Sequence, residues 1–123
     1  MEFSNSKSIY VQIADFMCDG ILMGKWAPNE KIISIRDLAV ELEVNPNTTM
    51  RAFENLQNRG IIFNKRGIGY FVAEDAVQKV KALRREEFVS DELPKFFKSI
   101  ALLDITFEEL SKMYNEYKIN LSK

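Results

Sequence analysis

The chain has 123 residues, of which 46% are hydrophobic and 28% are charged, and its formal net charge is −1. This size and balance fit a soluble globular domain, or a small domain with an appendage, and exclude an intrinsically disordered chain. No apolar run is long enough to cross a membrane, and residues 1–6 lack the basic and apolar blocks of a signal peptide, so we expect a cytoplasmic protein.

The residue types that are missing narrow the possible chemistry. The chain has no histidine, which excludes Ser-His-Asp and Cys-His catalysis and any histidine-ligated metal. Cys18 is the single cysteine, and we interpret it as a core or boundary residue rather than a reactive thiol. A carboxylate pair or an acidic metal site stays formally open, but the carboxylates form no constellation in the sequence. An enzyme is therefore the minority interpretation, and we expect neither a cofactor nor a metal.

The first predicted helix begins near Ile9 and ends near Gly24. Its apolar residues recur at spacings of three and four, which places them on one helical face: Ile9, Ile13, Phe16, Met17 and Ile21. A loop around Pro28 follows, and the next stretch favours β-structure, with the residues Lys31-Ile32-Ile33.

Two short helices joined by a three-residue turn are predicted next. Ser34 followed by Asp37 is typical of a helix N-cap, and Asn45 can cap the second helix, with Pro46 at its first position. Gly60 is expected to end that helix just after Arg59.

The side-chain pattern gives each of these helices one inward face. The inward residues lie at i, i+3, i+4 and i+7: Ile35, Leu38, Ala39 and Leu42 in the first helix, and Thr49, Ala52, Phe53 and Leu56 in the second. The opposite face of the second helix is polar, with Asn47, Arg51, Glu54 and Asn58. Two such helices predict a helix-turn-helix.

Two β-rich runs follow, at residues 61–65 and 70–73, joined by Arg66-Gly67-Ile68-Gly69. Because glycines suit tight turns, these runs predict a β-hairpin with a basic tip at Lys65 and Arg66. A basic hairpin directly after a helix-turn-helix is the wing of a winged helix.

The rest of the chain is predicted to be a helical appendage. Asp75 is expected to open a helix to about Val89, Asp91 to open a second, and Thr106 with Glu109 to open a third. The last two helices carry aromatic-rich faces that need a packing partner: Phe96, Phe97, Ile100, Phe107, Leu110, Tyr114 and Tyr117. The predicted fold class is mainly α with a small β-hairpin: a winged helix-turn-helix over residues 1–74, then a helical tail over residues 75–123.

Residues 8–73 resemble the GntR family of bacterial regulators in four blocks that keep the family's order and spacing. The blocks are residues 9–13 (IYVQI), 34–39 (SIRDLA), 44–53 (VNPNTTMRAF) and 60–72. The remainder is similar to the YtrA-type subgroup, in which a short helical dimerisation tail replaces a ligand-binding domain. The resemblance implies a regulator, expected to be a repressor, that acts as a homodimer on a palindromic operator in double-stranded DNA.

The resemblance also implies which residues contact DNA. Arg36 matches a family arginine that reaches a guanine edge and phosphates, and the start of the third helix matches the recognition positions. The wing tip matches the element that enters the minor groove or contacts its phosphates. The full predicted set is Ser34, Arg36, Asn45, Asn47, Thr48, Arg51, Lys65, Arg66 and Gly67. The aromatic-rich residues of the tail are the predicted dimerisation set.

Three alternatives stay open at this stage. The tail helices could fold back on their own winged helix instead of dimerising. The winged helix could be a protein-interaction module without specific DNA binding, an alternative that the net charge of −1 keeps open. A small apolar effector could lie between the tail helices near Phe96, Phe97 and Tyr114, although such residues more often form a core.

Overall fold

The computed structural model describes residues 2–4 and 7–122. Four residues lie outside the described ones: Met1, Asn5, Ser6 and Lys123. They include three of the six residues assessed for a signal peptide, the first residue of the first predicted domain and the last residue of the second. The elements are α1 (Ile9–Leu22), α2 (Ile35–Leu42), α3 (Pro46–Asn58), β1 (Ile62–Lys65), β2 (Gly69–Val72), α4 (Ala76–Glu87), α5 (Leu93–Leu102) and α6 (Phe107–Leu121), with a π-helical turn at Phe88–Glu92. The predicted fold class, mainly helical with one antiparallel hairpin, is confirmed.

The chain divides into two compact units, the first extending to Leu83 and the second beginning at Arg84. This division falls inside α4, whereas the sequence places it between residues 74 and 75. Ala76 and Val80 belong to the buried core of the first unit, and Lys79 Nζ donates a hydrogen bond to the Gly60 carbonyl oxygen at 3.1 Å. The first turns of α4 are therefore part of the winged-helix unit.

Local hydrogen bonds fix the starts of α2 and α3. The Asp37 N–H donates to Ser34 Oγ at 3.1 Å, and the Asn47 N–H donates to Asn45 Oδ1 at 2.7 Å, which confirms both predicted caps. Glu43 takes a left-handed conformation with φ of 57° and ends α2. The turn between the helices is therefore specified by residues within it.

The first unit has one hydrophobic core, to which α1, α2 and α3 all contribute. Most of the predicted inward residues are buried, including Ile13, Leu38 and Phe53, none of which has measurable exposure. The prediction is wrong for Ile9, which is 47% exposed at the start of α1, and Phe16 and Ile35 are half-buried. Thr49 is also fully buried, and its hydroxyl donates to the Asn45 carbonyl oxygen at 3.3 Å, so its polar group is satisfied. Cys18 is buried as well, as the sequence predicts.

The wing packs on this core through Tyr70. Its ring meets the Phe53 ring edge-on, with centroids 5.0 Å apart. In the antiparallel hairpin Phe63 pairs with Phe71 and Lys65 with Gly69. Because side chains alternate across a strand, these four residues share the outer face while Tyr70 points to the core.

The predicted break between the first two tail helices is wrong. Residues 88–92 stay helical, and Asp91 lies inside the π-helical turn instead of capping a new helix. The Leu93 N–H donates to the Phe88 carbonyl oxygen, five residues back. Since Pro94 has no N–H and its ring crowds the carbonyl four residues earlier, a widened turn before it lets the helical backbone continue. The cap at Thr106 is confirmed, because its Oγ1 accepts from the Glu109 N–H at 3.1 Å.

Truncating Phe53, at the centre of the core of the first unit, tests how much this side chain contributes to the free energy of unfolding. We expect Phe53→Ala to lower the free energy of unfolding by about 3–5 kcal/mol, because it removes a fully buried ring and leaves a cavity beside Tyr70. Val40→Ala, at a side chain that is 73% exposed on α2, is the matched control and should change it by less than about 0.5 kcal/mol. Urea denaturation at one fixed protein concentration measures both; equal effects would contradict the assigned core.

Candidate nucleic-acid interface

The predicted DNA-contact residues of the helix-turn-helix lie at the starts of α2 and α3. Arg36 is exposed in the first turn of α2, and Asn47 is exposed in the first turn of α3, beside the half-buried Thr48. The cap residues Ser34 and Asn45 are exposed too, although each already accepts a backbone hydrogen bond. Among the described residues, no carboxylate lies within ion-pair distance of the Arg36 guanidinium, so its charge is available to a phosphate or a guanine edge.

Arg51 lies one turn further along α3, and its environment is different. Its guanidinium carbon is 4.3 Å from the centroid of the Tyr10 ring, a cation–π contact with the first turn of α1. The two residues line an open cleft of about 200 Å³ together with Glu54, Asn55 and Asn58. The sequence grouped Arg51 with Glu54 and Asn58 on one helix face, but it did not identify Tyr10 as their neighbour.

The wing tip carries the predicted cations outward. Lys65, Arg66 and Gly67 are all exposed, and Gly67 has φ of +79°, a conformation that glycine adopts readily and that the turn uses. Lys65 Nζ lies 4.4 Å from the centroid of the Phe71 ring, which limits where its ammonium group can move. Arg66 at the turn has no carboxylate within ion-pair distance among the described residues.

Lys31 is a third cation of the wing that the sequence analysis did not assign to DNA. It forms an antiparallel bridge with Phe71, so the segment before α2 lies along the free edge of β2. The Ile32 N–H extends this pairing by donating to the Tyr70 carbonyl oxygen at 2.9 Å. The Lys31 side chain lies over Gly69, where a Cβ would approach its Cε to 3.0 Å. The β-prone stretch at residues 31–33 was the available signal, but its partner strand could not be identified from it.

The seven predicted dimerisation residues all belong to the second unit, but only some of them line a common cavity. Four of them line an apolar cavity of about 480 Å³ together with Phe88 and Ser111: Phe96, Phe107, Leu110 and Tyr114. The Phe96 and Phe97 rings lie 6.3 Å apart, but Phe97, Ile100 and Tyr117 do not line that cavity. All seven predicted residues are exposed or half-buried.

Residues 2–4 and 7–122 contain no group of three or more acidic or cysteine side chains placed to hold a metal ion. None of the helices described is both long and apolar enough for a membrane span.

The capped helix pair, the wing and its exposed cations define a winged helix-turn-helix DNA-binding protein. The family model described as "Bacterial regulatory proteins, gntR family" matches residues 9–72, more than half of the chain. The chain therefore belongs to the GntR family, as the four sequence blocks predicted, and it is a DNA-binding transcriptional regulator.

Two relatives from Bacillus subtilis (strain 168) are similar to this chain. The uncharacterized HTH-type transcriptional regulator YhcF is 33% identical over 109 residues, which are 89% of this chain and 88% of YhcF. The HTH-type transcriptional repressor YtrA is 39% identical over 72 residues, which are 58% of this chain and 55% of YtrA. These relatives confirm the predicted resemblance to YtrA.

Solved structures extend the similarity beyond the winged helix. A GntR-family transcriptional regulator from Bacteroides thetaiotaomicron is 43% identical with a TM-score of 0.81, covering 93% of this chain and 99% of that one. The AraR DNA-binding domain, solved in complex with operator ORX1, is 27% identical with a TM-score of 0.52, covering 58% of this chain and 93% of that chain. A winged helix of this family is therefore known on operator DNA.

At Asn45 the capping role in the structure can be separated from the predicted contact with DNA. We expect Asn45→Ala to lower the free energy of unfolding by about 1 kcal/mol, because α3 loses its cap. Asn45→Asp keeps a capping oxygen and should fold with near-normal stability, yet it should weaken DNA binding, since a carboxylate beside the recognition residues repels phosphates. Thermal unfolding and fluorescence anisotropy on a DNA duplex measure the two effects. If Asn45→Asp binds DNA normally, Asn45 is a cap only.

Proposed function

We propose that this protein represses transcription as a homodimer that binds a palindromic operator in double-stranded DNA in the cytoplasm. The observation that carries the proposal is the exposure of the polar start of α3 beside the cationic wing of the same compact unit. The proposed contact residues are Ser34, Arg36, Asn45, Asn47, Thr48, Arg51, Lys65, Arg66 and Gly67, with Lys31 added from the wing. None of these residues is proposed to act as a catalyst, so we propose a DNA-binding protein and not an enzyme.

The chemistry of these residues supports two kinds of DNA contact. A guanidinium can pair bidentately with the N7 and O6 of guanine, so Arg36 is the proposed base reader, while Asn47 and Thr48 make shorter contacts. Lysine and arginine at the wing attract phosphates without regard to sequence. Because the whole chain carries a net charge of −1, affinity has to come from this local cluster and not from a general positive field.

The exposed apolar side chains of the tail support dimerisation, and a dimer binds DNA more strongly than a single winged helix with few cations. None of the described residues from Arg84 onward is buried, and several large apolar side chains are more than half exposed, including Phe107 at 79%. A helical segment of this size cannot bury enough apolar surface by itself, so a second copy is the proposed cover. Two-fold pairing doubles the DNA contacts and requires an operator with matching symmetry.

The same tail surface was the predicted place for a small apolar effector. Phe97 and Tyr117 are also more than half exposed and do not line the cavity, so the exposed apolar surface of the tail is larger than the cavity alone. This extent favours a protein partner, and we therefore assign the surface to the second copy. The repressor assignment is supported by the similarity to YtrA, which is named as a repressor.

The base-reading role of Arg36 can be separated from the phosphate role of the wing. We expect Arg36→Ala to weaken binding to a selected operator by about 1–3 kcal/mol with little change on random DNA. Lys65→Ala or Arg66→Ala should weaken binding to both duplexes and reduce the slope of log affinity against log salt by about one per phosphate contact. Lys81→Ala, an exposed cation on α4, is the matched control. A wild-type protein whose retention on DNA is absent even at low salt would support the protein-interaction alternative instead.

Substitutions in the tail test the proposed dimer. We expect Phe107→Ala to weaken dimerisation by about 2 kcal/mol, the scale of a residue central to an interface, which is roughly a 30-fold rise in the dissociation constant. Lys112→Ala lies on the opposite side of α6 by helical period and should leave it unchanged. Sedimentation equilibrium measures both. A monomeric wild type in which Phe107→Ala only lowers the melting temperature would support the fold-back alternative.

A further inference from the structure

Tyr10 and Arg51 are far apart in the sequence but form one unit on the surface. Tyr10 is half-buried in the first turn of α1, where it packs against the core, and Arg51 is exposed in α3. The guanidinium carbon lies 4.3 Å from the ring centroid. A tyrosine fixed by the core is therefore a rigid support for a side chain that would otherwise sample many rotamers.

The contact leaves the binding capacity of the arginine intact. A guanidinium carries five N–H donors, and contact with a single ring cannot occupy all of them. Among the described residues, no carboxylate lies within ion-pair distance of Arg51, and this holds for Glu54 although it lines the same cleft. The positive charge is thus held in place without being neutralised by a direct ion pair.

The position of Arg51 along α3 indicates what it meets. The first residues of a recognition helix reach the base edges, and Arg51 lies more than one turn beyond Asn47, on the side that faces α1. The amides of Asn55 and Asn58 add donors to the same cleft of about 200 Å³. These donors suit a phosphate oxygen at the edge of the groove better than a base.

We infer that Tyr10 is a positioning residue, which holds the Arg51 guanidinium for contact with a DNA backbone phosphate. The inference rests on the proposed function, because it requires α3 to enter a DNA groove. It gives Arg51 a sequence-independent role and extends the functional surface from the helix-turn-helix to α1.

A double-mutant cycle on the full-length chain tests the inference. The variants are Tyr10→Leu, Arg51→Gln and their combination, with Tyr10→Phe as the matched control that keeps the ring and loses the hydroxyl. The probes are an operator duplex selected by the wild type from genomic fragments and a random-sequence duplex of the same length. Fluorescence anisotropy over a range of salt gives affinities and salt slopes, and thermal unfolding reports the stability of each variant.

Tyr10→Leu should weaken binding to both duplexes by about two- to sixfold, the range expected from an exposed cation–π contact, while Tyr10→Phe should bind as the wild type does. Arg51→Gln should weaken binding to both and lower the salt slope by about one. The combined variant should bind no more weakly than Arg51→Gln alone, because the ring acts only through the arginine. Thermal unfolding gives the folded fraction of each variant at the assay temperature, and affinities are calculated per folded protein, so a loss of stability in Tyr10→Leu does not enter this comparison.

Three results would overturn the inference. They are additive losses in the combined variant, an unchanged affinity for Tyr10→Leu, and a loss in Tyr10→Phe that equals the loss in Tyr10→Leu, which would assign the contact to the hydroxyl. If any of these occurs while the wild type still binds its operator and Arg36→Ala still loses specificity, the proposed function stands without this role for Tyr10. A wild type that binds neither duplex would overturn both.

Discussion

The edge-on contact between Phe53 and Tyr70 joins the two parts of the proposed DNA-binding surface. Phe53 extends from the buried face of α3, and Tyr70 extends from the inner face of β2, with their ring centroids 5.0 Å apart. Since both rings are anchored in one closely packed core, the polar start of α3 and the cationic outer face of the wing are held on a common support. Recognition of a rigid duplex depends on such a fixed relation, because a groove and its flanking phosphates have fixed spacing.

Several positive charges of the first unit lie on the proposed DNA-binding surface. A chain with a net charge of −1 cannot attract DNA as a whole, but Lys31, Lys65 and Arg66 gather at the wing and Arg36 lies on the helix pair. Aromatic rings accompany two of the cations proposed to contact DNA, with Phe71 beneath Lys65 and Tyr10 beneath Arg51. A ring limits the movement of a cation without cancelling its charge, which an ion pair with a carboxylate would do. Such contacts therefore suit side chains that have to bind an external anion.

The second unit differs from the first in how far its apolar side chains are buried. The winged helix buries a core of its own, whereas the helices beyond Arg84 leave their large apolar side chains exposed or half-buried in the described chain. Exposed aromatic surface in water is unfavourable, so a surface of this kind is normally completed by association. The similarity to the Bacteroides regulator covers nearly all of that chain, so a helical tail of this type recurs in the family.

The sequence by itself determined the features that depend on neighbouring residues. The caps at Ser34, Asn45 and Thr106 form as predicted because the donor and acceptor lie within three residues of each other. The inward faces of α2 and α3 also follow from spacing alone, because the helical period fixes which side chains share a face. The family blocks combine these local signals, which is why the fold class and the DNA-binding class could both be predicted.

Only the tertiary structure decided which distant segments meet. The bridge between Lys31 and Phe71 and the cation–π contact between Arg51 and Tyr10 join residues about forty positions apart, and no local periodicity encodes such a pairing. At Asp91 a capping pattern competed with helical continuity, and the widened turn that accommodates Pro94 prevailed. Local hydrogen bonds can be read from adjacent residues, but contacts between elements depend on how the whole core closes, and the part of the functional surface built from them becomes visible only in the folded chain.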